Sequence, residues 1–189
     1  MTKKSSSDSQ PKAIFFDRDG VINSLVKREN GKLTSPWHKS EFKFLPFVLE
    51  SFLMARNNGF MTFIVTNQPG VEDGDMSVES LYEINEMLSE WLMVDEIHCA
   101  LEKNSLEYKP NNGMIEKTIA RFNIDRSKSY IIGDRWKDIV PGHNSKLTTL
   151  YVGKKQDYTP TEEYKHIKPN YYCKNILDAC NLIMELDNV

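Results

Sequence analysis

Short apolar runs bounded by turn-forming residues recur along the chain, and each has the length of a buried β-strand. Such runs carry apolar side chains on both faces, which is typical of a parallel sheet that is covered by helices on each side. A loop over residues 158–170 is expected to lead into one further strand near the end of the chain. The other strands are predicted at residues 13–16, 60–65, 96–100, 130–132 and 148–152.

Between these runs the apolar positions return every three or four residues, which is the spacing of an amphipathic helix. Ser77 is a suitable N-cap for the second of the predicted helices, and Gly59 is a suitable stop for the first. The alternation of strands and helices predicts a doubly wound α/β domain whose ligand site lies beyond the carboxyl ends of the strands. The helices are predicted at residues 47–55, 78–93, 114–122 and 176–186.

Chain length and composition predict a single folded domain. With 189 residues, of which 40% are hydrophobic, the chain has enough apolar material for one sizeable core. Residues 1–12 are rich in Ser and Lys and cannot bury enough apolar surface to offset their ordering entropy. We therefore expect a flexible tail over residues 1–12 and one domain over residues 13–189.

Charge and cysteine content exclude several classes of partner. The formal net charge of −3 and the pI near 5.8 give the chain no general attraction to polyanions, so neither nucleic acid nor a membrane surface is expected as a partner. No stretch approaches the about 18 apolar residues of a membrane span. The three cysteines form no CxxC pair, which favours reduced thiols and a cytoplasmic location. A monomer is expected.

Two predicted strands end in carboxylates. Asp17 and Asp19 follow the first apolar run, and Asp134 follows the run at residues 130–132, with Asp138 four residues later. An acidic turn alone would explain the first pair. If the two strands are neighbours, however, Asp17, Asp134 and a backbone carbonyl can converge on one hard cation, and such oxygen ligands suit Mg²⁺. Asp138 is expected to bind the cation directly or to support its ligands.

A phosphate bound beside these carboxylates also needs hydrogen-bond donors and positive charge. Thr66 lies at the end of the second predicted strand, and Lys109 follows a fourth apolar run. Taken singly, each residue type is common in ordinary turns and on protein surfaces. Their occurrence in this order together with the carboxylates is much less expected by chance. Thr66 and Lys109 are therefore predicted to hold phosphoryl oxygens.

The four segments in this order resemble the motifs of the haloacid dehalogenase (HAD) superfamily. The strings DRDGVIN, VTNQPG, KPNNGM and IGDRWKDI are similar to the branch that contains heptose-bisphosphate and histidinol-phosphate phosphatases. The resemblance covers roughly residues 13–152 and implies a HAD-type, Rossmann-like fold. The intervals between the motifs leave no room for a large cap domain, so residues 25–42 are expected to form a local flap in which Trp37 either stacks on a ligand or anchors the loop.

The resemblance implies a phosphatase and a role for each motif residue. Asp17 would be the nucleophile that forms an aspartyl-phosphate, and Asp19 would be the acid and base, protonated when the substrate binds. Mg²⁺ would be held by Asp17, the backbone carbonyl of Asp19 and Asp134. The catalytic set is completed by Thr66 and Lys109, and the substrate side would be lined by Arg18, Asn67, Gln68 and Arg135.

Several departures from the family pattern bear on cofactor and substrate. One cysteine and a short loop replace the zinc-binding loop of many relatives, so no zinc is expected, and His98 and Cys99 are predicted to be an exposed and a buried strand residue. Tyr108 stands where those enzymes have arginine, and residues 70–75 are acidic, which favours a less charged substrate than a bisphosphate. The predicted function is magnesium-dependent hydrolysis of a small phosphorylated sugar or related metabolite.

Three alternatives remain from the sequence. A polynucleotide 3'-phosphatase or a phosphotransferase would use the same aspartyl-phosphate with a different substrate or acceptor. The third is a non-catalytic protein that keeps only the fold, and the presence of Asp17, Asp19, Lys109 and Asp134 speaks against it.

Overall fold

The computed structural model describes residues 10–188, and its centre is a parallel six-stranded sheet with the order β5-β4-β1-β6-β7-β8. The first strand of the chain therefore lies in the middle, between the strands that carry the other motifs. A separate antiparallel pair is formed by β2 and β3. The strands are β1 (Ala13–Phe16), β2 (Val26–Lys27), β3 (Leu33–Thr34), β4 (Met61–Asn67), β5 (Glu96–Ala100), β6 (Tyr130–Gly133), β7 (Thr148–Val152) and β8 (Tyr171–Cys173).

Helices cover both faces of the large sheet because side chains alternate along each strand. In β1, Ile14 and Phe16 pack against α1, α2 and α5, whereas Ala13 and Phe15 face α3 on the opposite side. On this second face Gly142 of α4 lies against Ile131. The helices are α1 (Val48–Asn57), α2 (Val78–Leu92), α3 (Gly113–Phe122), α4 (Trp136–Asn144) and α5 (Ile176–Asp187).

The predicted doubly wound architecture is confirmed, and the predicted helix signals are found. The Ser77 hydroxyl accepts a hydrogen bond from the Ser80 backbone N–H at 3.1 Å, and Gly59 follows α1 with a φ of 79°. The structure adds one helix that the sequence patterns did not predict. Pro141 and Gly142 lie inside α4 and read as helix breakers, but Asp138 caps its first turn by accepting from the Arg135 N–H at 3.0 Å.

Residues 1–9 of the predicted tail lie outside the described residues. The last part of that segment contacts the domain: the Pro11 carbonyl accepts from the Asp125 N–H at 2.8 Å, and the Lys12 ammonium lies 2.5 Å from an Asp187 carboxylate oxygen. Within residues 10–188, no helix combines the length and the apolar character that crossing a membrane requires.

The segment between β1 and α1 forms a small flap with a closed base. Its two ends meet where the Ser24 N–H donates to the Lys43 carbonyl at 3.0 Å and the Leu45 N–H donates to the Ile22 carbonyl at 2.9 Å. Between these ends lie the β2–β3 pair and a short 3₁₀ turn at Lys39–Glu41, and residues 32–35 extend over the carboxyl ends of the large sheet. The two ends of the flap are thus joined to each other by main-chain hydrogen bonds where the flap leaves the domain.

Candidate active site

The carboxyl ends of β1, β4 and β6 deliver most of the predicted site residues to one cavity. These three strands are adjacent in the sheet, so the residues that follow them are brought together although they are distant in sequence. The cavity has a volume of about 210 Å³ and is closed on one side by the flap. Its lining includes Asp17, Asp19, Thr66, Asn67, Gln68, Lys109, Arg135 and Asp138.

Lys109 is buried at the floor of this cavity and is paired with two carboxylates. Its ammonium donates to Asp17 Oδ1 at 2.6 Å, to Asp138 Oδ1 at 2.5 Å and to the Val65 carbonyl at 2.9 Å. Burial alone would lower the pKa of Lys109, but the charges of Asp138 and Asp17 outweigh it and raise the pKa. The ammonium is therefore charged and fixed beside Asp17.

Three carboxylates of the site lie close enough to share one cation. Oxygen atoms of Asp17, Asp134 and Asp138 lie within 4.8 Å of one another. Burial, followed by the charge of Asp138, raises the pKa of Asp17 to about 7, and burial, followed by the charge of Asp17, raises the pKa of Asp134 to about 8. A divalent cation bound here would stabilise the charged forms of these buried carboxylates and lower their pKa values.

The side chain of Asp134 is the best available ligand in this group. Its Oδ1 is buried and has no hydrogen-bond partner among the described residues, whereas both oxygens of Asp138 are engaged, by the Lys109 ammonium and the Arg135 N–H. A Mg²⁺ ion would satisfy the orphaned oxygen of Asp134, so the residues present fit this ion.

Gly20 makes room for Asp134. A Cβ atom at this position would lie 2.2 Å from Asp134 Oδ2, and the backbone φ of Gly20 is 104°, which side chains rarely tolerate. Only glycine therefore allows the turn after β1 to approach the carboxylate that follows β6.

Asp19 is surrounded by hydrogen-bond donors. Its oxygens accept from Asn23 Nδ2 at 2.9 Å, Gln68 Nε2 at 2.6 Å, Ser35 Oγ at 3.1 Å and Arg18 Nη2 at 3.2 Å. Burial would raise the pKa of Asp19, but the charge of Arg18 and the hydrogen bonds from Asn23 and Gln68 lower it. The protein alone thus favours ionised Asp19, in contrast to the protonated form predicted for substrate binding, and the acid role requires the bound substrate to reverse this preference.

The predicted substrate contacts divide into two groups in the structure. Arg135 lines the cavity with its side chain half exposed. Arg18 is fully buried and does not reach the cavity, because its guanidinium is directed to Asp19. Gln68 is 1% exposed and donates to Asp19 and to Thr66, while the side chain of Asn67 is bonded to the backbone of Lys109.

Sequence reasoning missed two donors to Asp19. Asn23 stands inside the first motif, four residues after Asp19, so its side chain could have been assigned from the turn that returns it to the strand end. Ser35 belongs to the flap and lies 16 residues further along the chain than Asp19, with no motif around it. Only the folded flap brings the Ser35 hydroxyl to the site.

The flap is held by Arg28, which the sequence did not single out for this role. The guanidinium donates to both carboxylate oxygens of Glu41, at 2.6 and 3.0 Å, and to Thr34 Oγ1 at 2.7 Å. It also lies 3.5 Å from the centre of the Trp37 ring, which Gly70 approaches closely as well. Trp37 therefore anchors the flap, since one face of its ring is already covered by Arg28.

His98 and Cys99 differ from their predicted placement. Both are half-buried, in contrast to the predicted exposed and buried pair, because the His98 ring lies 2.9 Å from Thr118 Oγ1 and Cys99 Sγ accepts from Asn85 at 3.4 Å. They are occupied by contacts within the domain.

A doubly wound domain that presents aspartates after β1 and β6, a threonine in β4 and a buried lysine defines a HAD-type hydrolase. The comparisons with known proteins agree. A family model described as HAD-hydrolase-like matches residues 108–179. The D-glycero-alpha-D-manno-heptose-1,7-bisphosphate 7-phosphatase of Campylobacter jejuni is 30% identical over 184 residues, which cover 93% of this chain and 98% of that protein.

Two further relatives extend this agreement. The D-glycero-D-manno-heptose-1,7-bisphosphate 7-phosphatase of Chlorobaculum tepidum is 29% identical over 89% of this chain and 92% of its own length. The crystal structure of D,D-heptose 1,7-bisphosphate phosphatase from B. bronchiseptica, complexed with magnesium and phosphate, aligns with a TM-score of 0.76 at 19% identity, covering 93% of this chain and 99% of that chain. The chain belongs to the heptose-bisphosphate phosphatase family of HAD-like hydrolases, which confirms the resemblance predicted from its motifs.

Proposed function

We propose that the protein is a magnesium-dependent phosphomonoesterase that acts through an aspartyl-phosphate on a small phosphorylated sugar or related metabolite. The observation that carries the proposal is the Asp17 carboxylate at the cavity floor, 2.6 Å from the Lys109 ammonium and beside the carboxylate of Asp134. The relatives named as heptose-bisphosphate phosphatases, and the neighbour that holds magnesium and phosphate, support the same chemistry.

In this mechanism a carboxylate oxygen of Asp17 attacks phosphorus in line, and the bond to the leaving oxygen breaks. Asp19 gives its proton to the departing alkoxide and later takes a proton from the water that cleaves the aspartyl-phosphate. Thr66 and Lys109 hold the phosphoryl oxygens. Asp17, Asp134 and the backbone carbonyl of Asp19 would hold Mg²⁺, which offsets negative charge between carboxylate and phosphate.

The mouth of the cavity carries charges of both signs, which fits a small polar leaving group. Lys32, Arg135 and Lys137 contribute positive charge, whereas Asp75 contributes negative charge, and the charge of Asp73 is paired with Lys103. This mixture gives a polynucleotide no continuous positive path for its phosphates. A hydroxyl-rich body can form hydrogen bonds with both kinds of side chain.

The test is phosphate release from a panel of sugar phosphates and bisphosphates in the presence of Mg²⁺. We expect wild type to hydrolyse at least one sugar phosphate, and Asp17→Asn to lose activity by a factor on the order of 10³ or more, because the amide cannot form the acyl phosphate. The matched control is Asp157→Asn at an exposed position. Exclusive release from 3'-phosphorylated oligonucleotides, or no release from any ester, would contradict the proposal.

A further inference from the structure

We infer that Asn67 is a positioning residue whose side chain fixes the backbone of Lys109, and that this side chain is not a contact for the substrate. The inference rests on the proposed function, because it assigns a role within the proposed phosphatase site. It replaces the expectation that Asn67 lines the substrate side.

Both polar atoms of the Asn67 amide are bonded to one residue. Its Nδ2 donates to the Lys109 carbonyl at 2.9 Å, and its Oδ1 accepts from the Lys109 N–H at 2.9 Å. The side chain thus pairs with the main chain of Lys109 in the reciprocal way in which two residues of an antiparallel sheet pair with each other. Asn67 borders the cavity, but its donor and its acceptor are turned to Lys109.

Lys109 needs such an anchor because it lies outside any helix or strand. Residues 101–112 connect β5 to α3, and their turns are closed largely by bonds within the segment, such as Tyr108 N–H to the Ser105 carbonyl at 3.2 Å and Asn111 N–H to the Tyr108 carbonyl at 3.0 Å. These bonds shape the segment but do not place it on the sheet. The Asn67 amide does so at the residue that must reach Asp17.

The strand that carries Asn67, β4, contacts both the side-chain ammonium and the backbone of Lys109. The Val65 carbonyl accepts from the Lys109 ammonium at 2.9 Å, and Asn67, two residues later, holds the Lys109 backbone. Between them Thr66 lines the cavity. Three successive residues of β4 therefore set the distance between the Lys109 ammonium, Thr66 and Asp17, on which stabilisation of the transferred phosphoryl group depends.

A positioning role predicts a characteristic kinetic result. Asn67→Ala should lower kcat by about 10-fold to 10²-fold, because displacing a catalytic group by about 1 Å costs this much, while KM changes by less than about 2-fold. The matched control is Asn58→Ala, whose amide bonds only to the Met54 carbonyl at the exposed end of α1 and should leave both constants unchanged. An increase in KM at unchanged kcat would overturn the inference.

A double-mutant cycle separates positioning from contact without relying on turnover. Binding of orthovanadate, which mimics the phosphoryl-transfer transition state, is measured with Mg²⁺ by calorimetry for wild type, Asn67→Ala, Lys109→Met and the double variant. If Asn67 acts through Lys109, its substitution weakens binding in wild type and has no further effect in Lys109→Met. Equal losses in both backgrounds, or no loss in wild type, would contradict the inference and leave the proposed function intact.

Hydrogen exchange of the native protein gives a third readout. In Asn67→Ala the amides of residues 105–112 should exchange faster, whereas those of β1 and β6 should not change. Should Asn67→Ala fail to fold, Asn67→Asp keeps the acceptor for the Lys109 N–H and turns an oxygen towards the Lys109 carbonyl, so the same acceleration is expected. Unchanged exchange in the folded variant would reject the anchor, even if the protein hydrolysed no ester and the proposed function failed.

Discussion

At the scale of single residues, the site holds more negative charge than its buried lysine can balance. Lys109 donates to Asp17 and Asp138, and among residues 10–188 the cationic atom nearest to Asp134 is Arg135 Nε at 4.0 Å, on a half-exposed side chain. Carboxylates gathered in this way repel each other and lose hydration, so the arrangement destabilises the folded chain while it favours a divalent cation. Under the proposed function, stability and cation binding are therefore opposed at these residues.

Asp134→Asn should therefore stabilise the metal-free protein. Removing one of the three carboxylates should relieve charge repulsion and raise the free energy of unfolding by about 1 kcal/mol. For a chain of this size, that change corresponds to an increase in Tm of about 2–4 °C. In wild type, Mg²⁺ at 100 times its Kd should stabilise by about 2.7 kcal/mol, and the variant should lose most of this gain. Thermal denaturation with and without Mg²⁺ measures both effects, and Asp157→Asn is the control.

The same carboxylates determine the pH dependence of stability without metal. The folded-state pKa values of Asp17 and Asp134, about 7 and about 8, lie above the ordinary value of 3.8. Between pH values of about 4 and about 8, these two groups therefore bind more protons in the folded protein than in the unfolded chain. Their contribution makes the free energy of unfolding fall as pH rises through this range. Urea denaturation in EDTA at several pH values tests the direction; a rise in stability over this range would refute it.

At the scale of elements, a strand or helix was predictable where its sequence pattern fits only one kind of structure. The buried strands β1, β4 and β6 are short apolar runs, and a parallel sheet requires such runs. The α4 helix was not predictable, because Pro141 and Gly142 are unfavourable within a helix. Gly142 is explained by its close packing on the sheet, which only the folded structure shows. The β2–β3 pair consists of two-residue strands, which are too short to produce a pattern.

The close contact between α4 and the sheet makes Gly142 sensitive to any side chain. A Cβ at this position would lie 2.3 Å from Ile131 Cγ2 and 2.9 Å from Thr149 Cγ2. Gly142→Ala should destabilise the protein by about 1–3 kcal/mol through overpacking, although alanine favours helices. The control is the exposed neighbour His143→Ala, expected within about 0.5 kcal/mol of wild type in urea denaturation.

The flap depends on the branched donor geometry of Arg28. Arg28→Lys keeps the charge but cannot bond both oxygens of Glu41, Thr34 and the ring of Trp37 together. KM should rise by about 5-fold, equivalent to about 1 kcal/mol of binding, and trypsin should cut the flap faster. Lys27→Arg, the reverse exchange at an exposed neighbour, also keeps a trypsin site and should change neither measurement.

At the scale of the whole molecule, the sequence indicated which side chains meet in the cavity but not what surrounds them. That Asp17, Thr66 and Lys109 lie together could be predicted, because each follows an apolar run and the order of the runs implies a common sheet edge. The donors to Asp19 could not, since Ser35 reaches it only through the folded flap. The sequence also gives no direction to a side chain, so it could not show that the Arg18 guanidinium is directed to Asp19 or that the Asn67 amide is bonded to the Lys109 backbone.

The cysteines report on folding of the entire domain. Burial raises the pKa of Cys173 to about 11 and of Cys180 to about 12, and it also raises the pKa of Cys99. Because the thiolate is the reactive form, a thiol reagent such as DTNB should react slowly with the native protein and quickly with all three cysteines in denaturant. The slow rate should follow the global unfolding equilibrium in urea; three rapid native reactions would refute the prediction.

The closed base of the flap allows its length and sequence to vary independently of the rest of the domain. Main-chain bonds from Ser24 to Lys43 and from Leu45 to Ile22 join the two ends, so the segment between them can be lengthened, shortened or exchanged without moving β1 or α1. Each doubling of such a loop costs only about 0.6 kcal/mol in closure entropy. The flap side of the cavity can thus change as one exchangeable segment, by recombination or by grafting, while the residues that follow β1, β4 and β6 keep their places.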